Sequence, residues 1–243
     1  MRTHTKIARI AAFGLMLTGC ATVDYLHTPA GHFTGSVFVM WVGEGNDYGD
    51  GNFVFVPDPR DRLRFTRHNP QSHGAVIEPG IMYTDAGSIP KIAQVFKGFS
   101  PWGYAPAYMI HDWLFVGRHC LVDGEPGSRF DQIRDVDFDD SATILAEAIQ
   151  ALVVSNQVKA NDIAGETISA AVDTVIAKNL WDEKGACAES HVDPKLIAKV
   201  EAAVPGSTNY VLKNFGIEAF KLPPGTPRAP PATPAKIIAH ITF

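Results

Sequence analysis

The chain is poor in the features that mark nucleic-acid-binding proteins. Only 19% of its 243 residues are charged, and the net charge is −5. No stretch groups Lys and Arg into the stripe that binds phosphates, so we expect no nucleic-acid partner. The hydrophobic fraction of 46% is typical of a globular protein, and a chain of this length can bury one substantial core.

The first 20 residues have the arrangement of an export signal. Three basic residues precede a short apolar run at residues 10–17, which leads into Leu17-Thr18-Gly19-Cys20. A charged start, a short apolar segment and small residues before a processing point predict a signal peptide. The apolar run is too short to remain as a membrane-spanning helix, which needs about 20 residues.

The last four residues of this segment, LTGC, resemble a bacterial lipobox. The resemblance implies that Cys20 is acylated and becomes the first mature residue, which would hold the protein on a membrane surface. Ala21 stands where an Asp would indicate the inner membrane, so the resemblance implies the outer one. We therefore expect a lipid anchor on the periplasmic side of the bacterial outer membrane. The alternative is an ordinary cleaved signal peptide with an incidental cysteine.

Only two cysteines follow Cys20, which limits metal and redox chemistry. No C-x-x-C or Cys–His spacing indicates a zinc site. Because an exported chain meets an oxidising compartment, we predict one disulfide between Cys120 and Cys187. The acidic, glycine-rich residues 43–51 do not follow the EF-hand calcium pattern and are interpreted as a polar turn.

The sequence pattern predicts an α+β fold, with a small antiparallel β-region at the N-terminal side followed by a helical core. In that core, the helix that carries His111 and Asp112 would pack on a long helix with an acidic start. Alternating or β-branched segments predict strands, and apolar repeats at helical spacing predict helices. The expected strands are residues 34–42, 51–57, 62–66 and 75–84, and the expected helices are residues 104–118, 130–155, 162–180 and 193–204.

One domain is expected, with a segment on either side. The predicted divisions are a signal peptide (residues 1–20), a tether (21–34), the α+β domain (35–204) and a proline-rich C-terminal tail (205–243). The prolines between residues 222 and 236 exclude a packed helix there and indicate an extended linker. The chain end, residues 237–243, is interpreted as a strand that docks on the domain.

Residues 104–118 carry two adjacent polar side chains, His111 and Asp112, inside an otherwise apolar run. A proline suits the first turn and Gly117 suits the end, so the segment is interpreted as a short buried helix. Burying an ionisable pair costs several kcal/mol unless partners satisfy it. The pair therefore indicates either a functional site or a structural arrangement in which a backbone carbonyl satisfies His111 and Asp112 pairs with Arg118.

A histidine activates water when a carboxylate orients it, and a second carboxylate can hold a metal ion. Neighbouring helix positions diverge by about a third of a turn, so Asp112 is not expected to orient His111. The predicted orienting residue is Asp139 or Asp135, both at the border of the apolar face of the next long helix. Asp112 then remains as a ligand for calcium, which prefers oxygen atoms.

A loop before this helix, TDAGSIP at residues 84–90, carries a carboxylate and a hydroxyl. Asp85 and Ser88 can bond their own backbone in such a turn, or they can point at a neighbouring site. We assign Asp85, Ser88 and the nearby Tyr104 to substrate binding or to holding the loop, and Asp85 is also a candidate cation ligand. A self-bonded turn is the alternative.

The run AYMIHDWLF at residues 107–115 resembles the His-Asp helix of secreted phospholipases A2. In that family the His is the base, the next Asp binds calcium, and an Asp on the antiparallel neighbouring helix orients the His. The resemblance implies these roles for His111, Asp112 and either Asp139 or Asp135. The half-cystine that precedes the His-Asp pair in that family, and its glycine-rich calcium loop, are not found in this sequence.

Three motifs in order resemble a second family, of small uncharacterised proteins from phages, prophages and bacterial genomes. The motifs are TDAGSIP, YAPAYMIHDWLF and an acidic helix ending in AEAIQAL, within residues 52–154. Ala86-Gly87 reverses the Gly-Ala order of that family, and Ala142 stands where an Asp is expected. This resemblance implies no activity.

The first hypothesis is a membrane-anchored cell-envelope hydrolase that uses a His-Asp dyad, with calcium as its expected cofactor. Its substrate would be a lipid ester or a cell-wall amide. The alternative is a non-catalytic envelope lipoprotein in which His111, Asp112 and Asp85 form a structural network. A third hypothesis, a phage-derived protein that modifies the host envelope through protein contacts, depends only on the second resemblance.

Overall fold

The structure, a computed structural model, describes residues 23–25, 27–43, 52–84, 103–125, 128–159, 175–208 and 232–243. Within this part, antiparallel sheets lie at the N-terminal side and helices follow them, so the predicted α+β fold is confirmed. The expected lipidation site Cys20 and the loop residues Asp85 and Ser88 lie outside the described residues.

Antiparallel strands build the β-region. In chain order the described strands are β1 (His32–Thr34), β2 (Ser36–Gly43), β3 (Asn52–Pro57), β4 (Arg64–Thr66), β5 (Val76–Ile77), β6 (Met82–Thr84) and β7 (Lys236–Thr242). They form a three-stranded sheet of order β1-β4-β5 and a four-stranded sheet of order β6-β3-β2-β7. Every neighbouring pair is antiparallel.

Strand β2 explains why the larger sheet is buried on both faces. Val37 and Val39 belong to the main core, which also contains the helices, whereas Met40 and Val42 belong to a second, smaller core. None of these four side chains is more than 2% exposed. Successive side chains of a strand point to opposite faces, so this apolar run fills two cores at once.

The described helices are α1 (Ala105–Val122), α2 (Phe138–Val154), α3 (Val175–Trp181) and α4 (Pro194–Ala203), with 3-10 segments at Ser128–Ile133 and Ala188–Ser190. Helix α1 packs on α2 in the main core, while α4 covers the second core through Val200. Of the helix predicted at residues 162–180, the described part is α3, and residues 160–174 lie outside the description. The helix that carries His111 is therefore a central element of the main core.

Helix α1 continues to Val122, past the end that was predicted at Gly117. A Cβ atom at Gly117 would lie 2.1 Å from Cδ1 of Ile133 and 2.9 Å from Cδ1 of Phe130. The glycine is required because the 3-10 segment packs directly against the helix backbone there. The helix-ending role predicted for Gly117 is thus wrong, since the close contact comes from residues more than a dozen positions later in the chain.

Helix α2 begins at Phe138, later than the predicted start at residue 130. Asp137 has an extended backbone, and its carboxylate accepts a 2.7 Å hydrogen bond from the N–H of Asp140. This is an N-cap, an arrangement that stabilises a helix by about 1 kcal/mol. The acidic residues before Asp137 therefore lie outside the helix, in the preceding 3-10 segment and turn.

The folded domain extends beyond the predicted limits, residues 35–204, in both directions. Tyr25 is 7% exposed in the main core and β1 pairs with β4, although residues 21–34 are predicted to be a tether. At the other end, β7 pairs with β2, so the folded unit continues beyond residue 204. The docking strand predicted at residues 237–243 is present as β7.

None of the described helices is long and apolar enough to cross a membrane.

Candidate functional site

Helix α1 holds His111 and Asp112 at the edge of the main core. Their side chains are 12% and 32% exposed, and Nδ1 of His111 lies 3.7 Å from Oδ1 of Asp112. This distance is too long for a hydrogen bond, because adjacent helix positions diverge. It is short enough for one water molecule to bond to both groups.

Four buried polar atoms on this helix have no hydrogen-bond partner within the part of the chain that is described. Two of them are Nε2 of His111 and the hydroxyl oxygen of Tyr108, and a third is Nε of Arg118. Residues three apart share a helix side, and a buried group without a partner costs about 1–3 kcal/mol. Nε1 of Trp113 is also unpartnered, but that ring packs on Phe130 at 5.3 Å and belongs to core packing.

Buried tyrosines accompany the His-Asp pair. The rings of Tyr104 and Tyr108 are 6.4 Å apart. Burial, followed by the nearby Tyr104, Asp112 and Tyr25, raises the pKa of Tyr108, and burial with the nearby Tyr104 raises the pKa of Tyr25. Burial also raises the pKa of Tyr104. These hydroxyls thus stay neutral at physiological pH. We define Tyr25, Tyr104, Tyr108, His111 and Asp112 as the tyrosine–histidine cluster.

The carboxylates that were predicted to orient His111 lie elsewhere. Asp135 and Asp139 are both exposed, and neither is a hydrogen-bond partner of His111. Because α2 begins only at Phe138, Asp135 precedes the helix and Asp139 lies in its first turn, facing solvent. The predicted dyad of His111 with Asp139 or Asp135 is therefore not formed in the described structure.

A second buried polar group, which the sequence analysis missed, connects the end of β4 to α2. The side chains of Arg67 and Glu147 are 4% and 6% exposed, and Nη2 of Arg67 donates to Oε1 of Glu147 at 3.0 Å. Nη1 donates to the carbonyl of His73 at 2.8 Å and to Oδ1 of Asp140 at 3.1 Å. The N–H of His68 completes the bonding of Glu147 at 3.2 Å. We define Arg67, Asp140 and Glu147 as the arginine network.

Electrostatics favours the charged form of Arg67 in this network. Burial alone would lower the pKa of Arg67, but the hydrogen bonds and charges of Glu147 and Asp140 outweigh it and raise that pKa. A signal was present in the sequence, since Glu147 interrupts the apolar run ILAEAIQAL of α2 as His111 interrupts the run of α1. The same criterion, applied to α2, finds Glu147.

A surface depression with a volume of about 380 Å³ adjoins the arginine network, between the loop after β4 and the first turn of α2. Asp137, Asp139 and Asp140 line it, and Nδ1 of His73 donates to Oδ2 of Asp140 at 3.2 Å. Carboxylates at a helix N-terminus are stabilised by the helix dipole. Helix capping therefore accounts for the acidic lining without a ligand.

The predicted disulfide between Cys120 and Cys187 is confirmed. It joins α1 to the segment before the 3-10 helix at Ala188–Ser190, and a carboxylate and an imidazole lie beside it. One ligand atom from each of four side chains falls within 4.8 Å of all the others. We define these four, Cys120, Glu125, Cys187 and His191, as the cysteine cluster.

Comparisons with protein-family models, with curated proteins and with solved structures give no match to this chain. The resemblances to lipobox proteins, to phospholipases A2 and to the phage-associated family therefore stay predictions. The function must be inferred from the geometry of the side chains.

Proposed function

We propose that the chain is a cell-envelope hydrolase, anchored to the outer membrane through acylated Cys20, in which His111 activates water. The observation that supports this proposal is the 3.7 Å separation of His111 Nδ1 from Asp112 Oδ1 at a partly exposed edge of α1. A water molecule held by both atoms faces an imidazole nitrogen that can take its proton.

The burial of the ring selects Nδ1 as the basic atom. Nε2 of His111 is buried, so the exposed part of the imidazole does not include it. In the neutral imidazole one nitrogen carries the proton and the other accepts. With the proton on Nε2, the lone pair of Nδ1 is directed to the side on which Asp112 lies, where water can arrive.

Asp112 has two uses in this arrangement. Its carboxylate orients the attacking water, and as an oxygen ligand on the surface it is the protein group that would hold calcium. Calcium takes 6–8 oxygen ligands, so water and substrate oxygens would supply most of the others. Calcium is therefore proposed as an assisting ion, with Asp112 as its contact on the described chain.

An ester or amide is the proposed substrate because a neutral tyrosine hydroxyl lies about one helical turn from the His-Asp pair. The Tyr108 hydroxyl is buried, and within the described residues it has no hydrogen-bond partner. Burial and the nearby Asp112 raise its pKa, so that it remains a donor. A neutral donor of this kind stabilises the negative charge that develops on a carbonyl oxygen during hydrolysis. Lipid esters and cell-wall amides are the carbonyl substrates within reach of a lipid-anchored envelope protein.

The test is a hydrolysis assay on the full chain with phospholipid mixed micelles and with purified cell wall, in calcium or in chelator. We expect His111→Ala to lower kcat on the order of 10²–10⁴-fold, as loss of a general base does. Asp112→Asn is expected to lower activity and to remove any response to calcium. His119→Ala, on the same helix but bonded to the carbonyl of Leu180 at 2.6 Å, is the matched histidine control.

A second candidate, a non-catalytic envelope lipoprotein, is favoured by one observation, the burial of His111 Nε2. Folded wild-type protein that turns over neither substrate, with or without calcium, would support this candidate and overturn the hydrolase. Circular dichroism of each variant separates lost chemistry from lost folding. Asp182→Asn, an exposed carboxylate that pairs with Arg118 and Lys178, is the matched control for Asp112→Asn.

A further inference from the structure

The cysteine cluster brings metal-binding atoms from distant parts of the chain to one point. Sγ of Cys187 lies 3.6 Å from Nε2 of His191 and 2.5 Å from Oε2 of Glu125. The imidazole nitrogen and the carboxylate oxygen are 3.1 Å apart. Glu125 is held here by Arg129 at 3.0 Å and by His191 at 3.1 Å, whereas a disulfide sulfur carries no hydrogen and gives the carboxylate no hydrogen bond.

We propose that the cysteine cluster binds one Zn²⁺ ion once its disulfide is reduced. Two thiolates, an imidazole and a carboxylate are the donor types that tetrahedral zinc sites use. Zinc–ligand bonds of about 2.0–2.3 Å place neighbouring ligand atoms roughly 3.3–3.8 Å apart. The sulfur–nitrogen distance of 3.6 Å and the nitrogen–oxygen distance of 3.1 Å are already near these values.

The two shortest contacts, both made by sulfur atoms, need to widen, and the longer separations within the 4.8 Å cluster need to shorten. The sulfurs of Cys120 and Cys187 are 2.02 Å apart because they are bonded, and breaking that bond lets them separate. Both cysteines are buried, at 0% and 5% exposure, whereas the side chain of His191 is 39% exposed. Zinc can therefore enter from the His191 side and meet the two thiolates behind it.

Arg129 balances the charge of the cluster in both states. Its side chain is 7% exposed and Nη2 donates to Oε1 of Glu125 at 3.0 Å, which leaves Oε2 directed to Cys187 and His191. With the disulfide closed, this guanidinium neutralises the carboxylate. With zinc bound, two thiolates and one carboxylate match the charges of Zn²⁺ and the guanidinium. A neutral buried site avoids the cost of an unpaired charge.

The bonding of His191 differs between the disulfide-bonded form and the zinc-bound form of the cluster. Nη2 of Arg129 lies 3.0 Å from Nε2 of His191, and Oε2 of Glu125 lies 3.1 Å from the same atom. One ring nitrogen serves a single partner at a time, either donating its proton or offering its lone pair. Zinc binding takes that lone pair, so it replaces these hydrogen bonds of Nε2 and leaves the Arg129–Glu125 bond through Oε1 in place.

The redox step needs an external two-electron reductant, for which a dithiol serves. Thiolate attack breaks the Cys120–Cys187 bond, the reductant is oxidised to its own disulfide, and each cysteine sulfur gains one proton. Zinc then displaces both thiol protons as it binds the two thiolates. The site is thus closed to metal in an oxidising compartment and open after reduction, which makes zinc affinity dependent on redox state.

The full chain would be reduced with a water-soluble phosphine in urea, refolded with Co²⁺, with Zn²⁺ or without metal, and compared with the unreduced chain. We expect one ion per chain after reduction only, with the thiolate charge-transfer and visible bands of tetrahedral Co²⁺, which Zn²⁺ displaces. His191→Ala and Glu125→Gln are each expected to lower Co²⁺ affinity by at least 10-fold, the order expected when support of a metal site is lost.

Matched variants make the result specific to this cluster. His240→Ala removes a histidine of similar exposure that pairs with Asp58, and Glu78→Gln removes a carboxylate that pairs with Arg64. Neither is expected to change Co²⁺ binding. Reduced chain that binds no Co²⁺, or that binds it equally well in His191→Ala and Glu125→Gln, would overturn the proposal. If reduction unfolds the chain, refolding by Zn²⁺ supports the site, and failure to refold with Zn²⁺ contradicts it.

Discussion

Two groups of ionisable side chains are embedded in apolar surroundings, and they differ in how their polar atoms are bonded. In the arginine network, Arg67 donates to Glu147, to Asp140 and to a backbone carbonyl. In the tyrosine–histidine cluster, Nε2 of His111 and the hydroxyl of Tyr108 have no partner within the described residues. Similar burial has therefore produced a bonded network at one place and unpartnered groups at the other.

Buried polar groups can stabilise the fold or belong to a functional site, and their hydrogen bonds help to distinguish the two cases. A bonded ion pair ties β4 to α2 and needs no ligand to explain it. Buried polar atoms that lack partners are rare in native structures and call for a specific cause, such as catalysis or a bound molecule. The arginine network is accordingly interpreted as structural, and the tyrosine–histidine cluster carries the proposed chemistry.

The largest expected effect comes from breaking the arginine network at one end. Glu147→Gln leaves the Arg67 guanidinium with only the more exposed Asp140 as a charge partner. Because that second partner remains, we expect a loss near the lower end of the roughly 3–5 kcal/mol that follows when one member of a buried pair is removed. Urea denaturation followed by circular dichroism measures the change in the free energy of unfolding. Asp139→Asn, an exposed carboxylate on the same helix, is the control and should change it by less than about 0.5 kcal/mol.

Replacing both partners tests whether the network is structural. Arg67→Met combined with Glu147→Leu removes both buried charges, and such replacements are often neutral or stabilising. We expect the double variant to recover more than half of the loss seen in Glu147→Gln. A double variant as unstable as the single one would show that the charges themselves are required.

A smaller effect is expected when the tyrosine–histidine cluster is taken to alkaline pH. The pKa of Tyr108 is raised in the folded protein, so its hydroxyl ionises in the unfolded chain first. The contribution of Tyr108 to the free energy of unfolding is fully present at pH values below about 10, the pKa of tyrosine in the unfolded chain. It is lost as the pH rises from there towards the higher pKa of Tyr108 in the folded protein. The loss is at most about 1.4 kcal/mol per pH unit for this residue.

Tyr108→Phe isolates that contribution, because other groups titrate in the same range. Denaturation curves of both proteins across this alkaline range should show a shallower loss of stability in the variant. Parallel curves for wild type and Tyr108→Phe would contradict the expectation and mean that Tyr108 ionises equally in both states.

At neutral pH the same substitution should not destabilise the fold. The hydroxyl of Tyr108 has no described partner, so removing it strands no other group and relieves the cost of burying it, and we expect the free energy of unfolding to stay unchanged or to rise by up to about 1–3 kcal/mol. The large loss expected for Glu147→Gln and the absence of a loss in Tyr108→Phe would distinguish the arginine network most clearly from the tyrosine–histidine cluster. A loss of several kcal/mol in Tyr108→Phe would mean that the hydroxyl is bonded.

The smallest effect is expected at the exposed edge of the arginine network. His73 is 60% exposed where it pairs with Asp140, and surface pairs contribute about 0–1 kcal/mol. His73→Ala should lower the free energy of unfolding by less than about 1 kcal/mol, and added salt should reduce the difference further. A large loss would extend the structural network to the surface.

Several elements followed directly from local sequence patterns. The strands at 34–42 and 51–57 and the helices at 104–118 and 193–204 were predicted within a few residues of β2, β3, α1 and α4. The Cys120–Cys187 pairing followed from the number of cysteines that remain after the predicted signal peptide. In each case the signal is carried by residues near one another or by a count, so no tertiary information was needed.

The candidate site was predicted only in part. The apolar run around His111 correctly predicted a helix with most of its residues buried, although the side chain of His111 itself is 12% exposed. Asp139 or Asp135 was expected to orient His111 from a helix whose start was predicted too early. That error came from Asp137, whose capping role depends on the backbone geometry of one residue. The arginine network and the cysteine cluster were missed because their members are far apart in sequence and no local spacing connects them.

Periodicity and residue type were enough to predict the α+β class and the burial of the His-Asp helix, and a count of cysteines was enough to predict the disulfide. The tertiary structure alone brings distant polar groups together. It directed Asp140 and Glu147 to Arg67, left Nε2 of His111 unpartnered among the described residues, and brought Glu125 and His191 to the disulfide. The reason is physical: hydrogen bonds and metal ligation depend on separations of a few ångströms, which are set by how the elements pack.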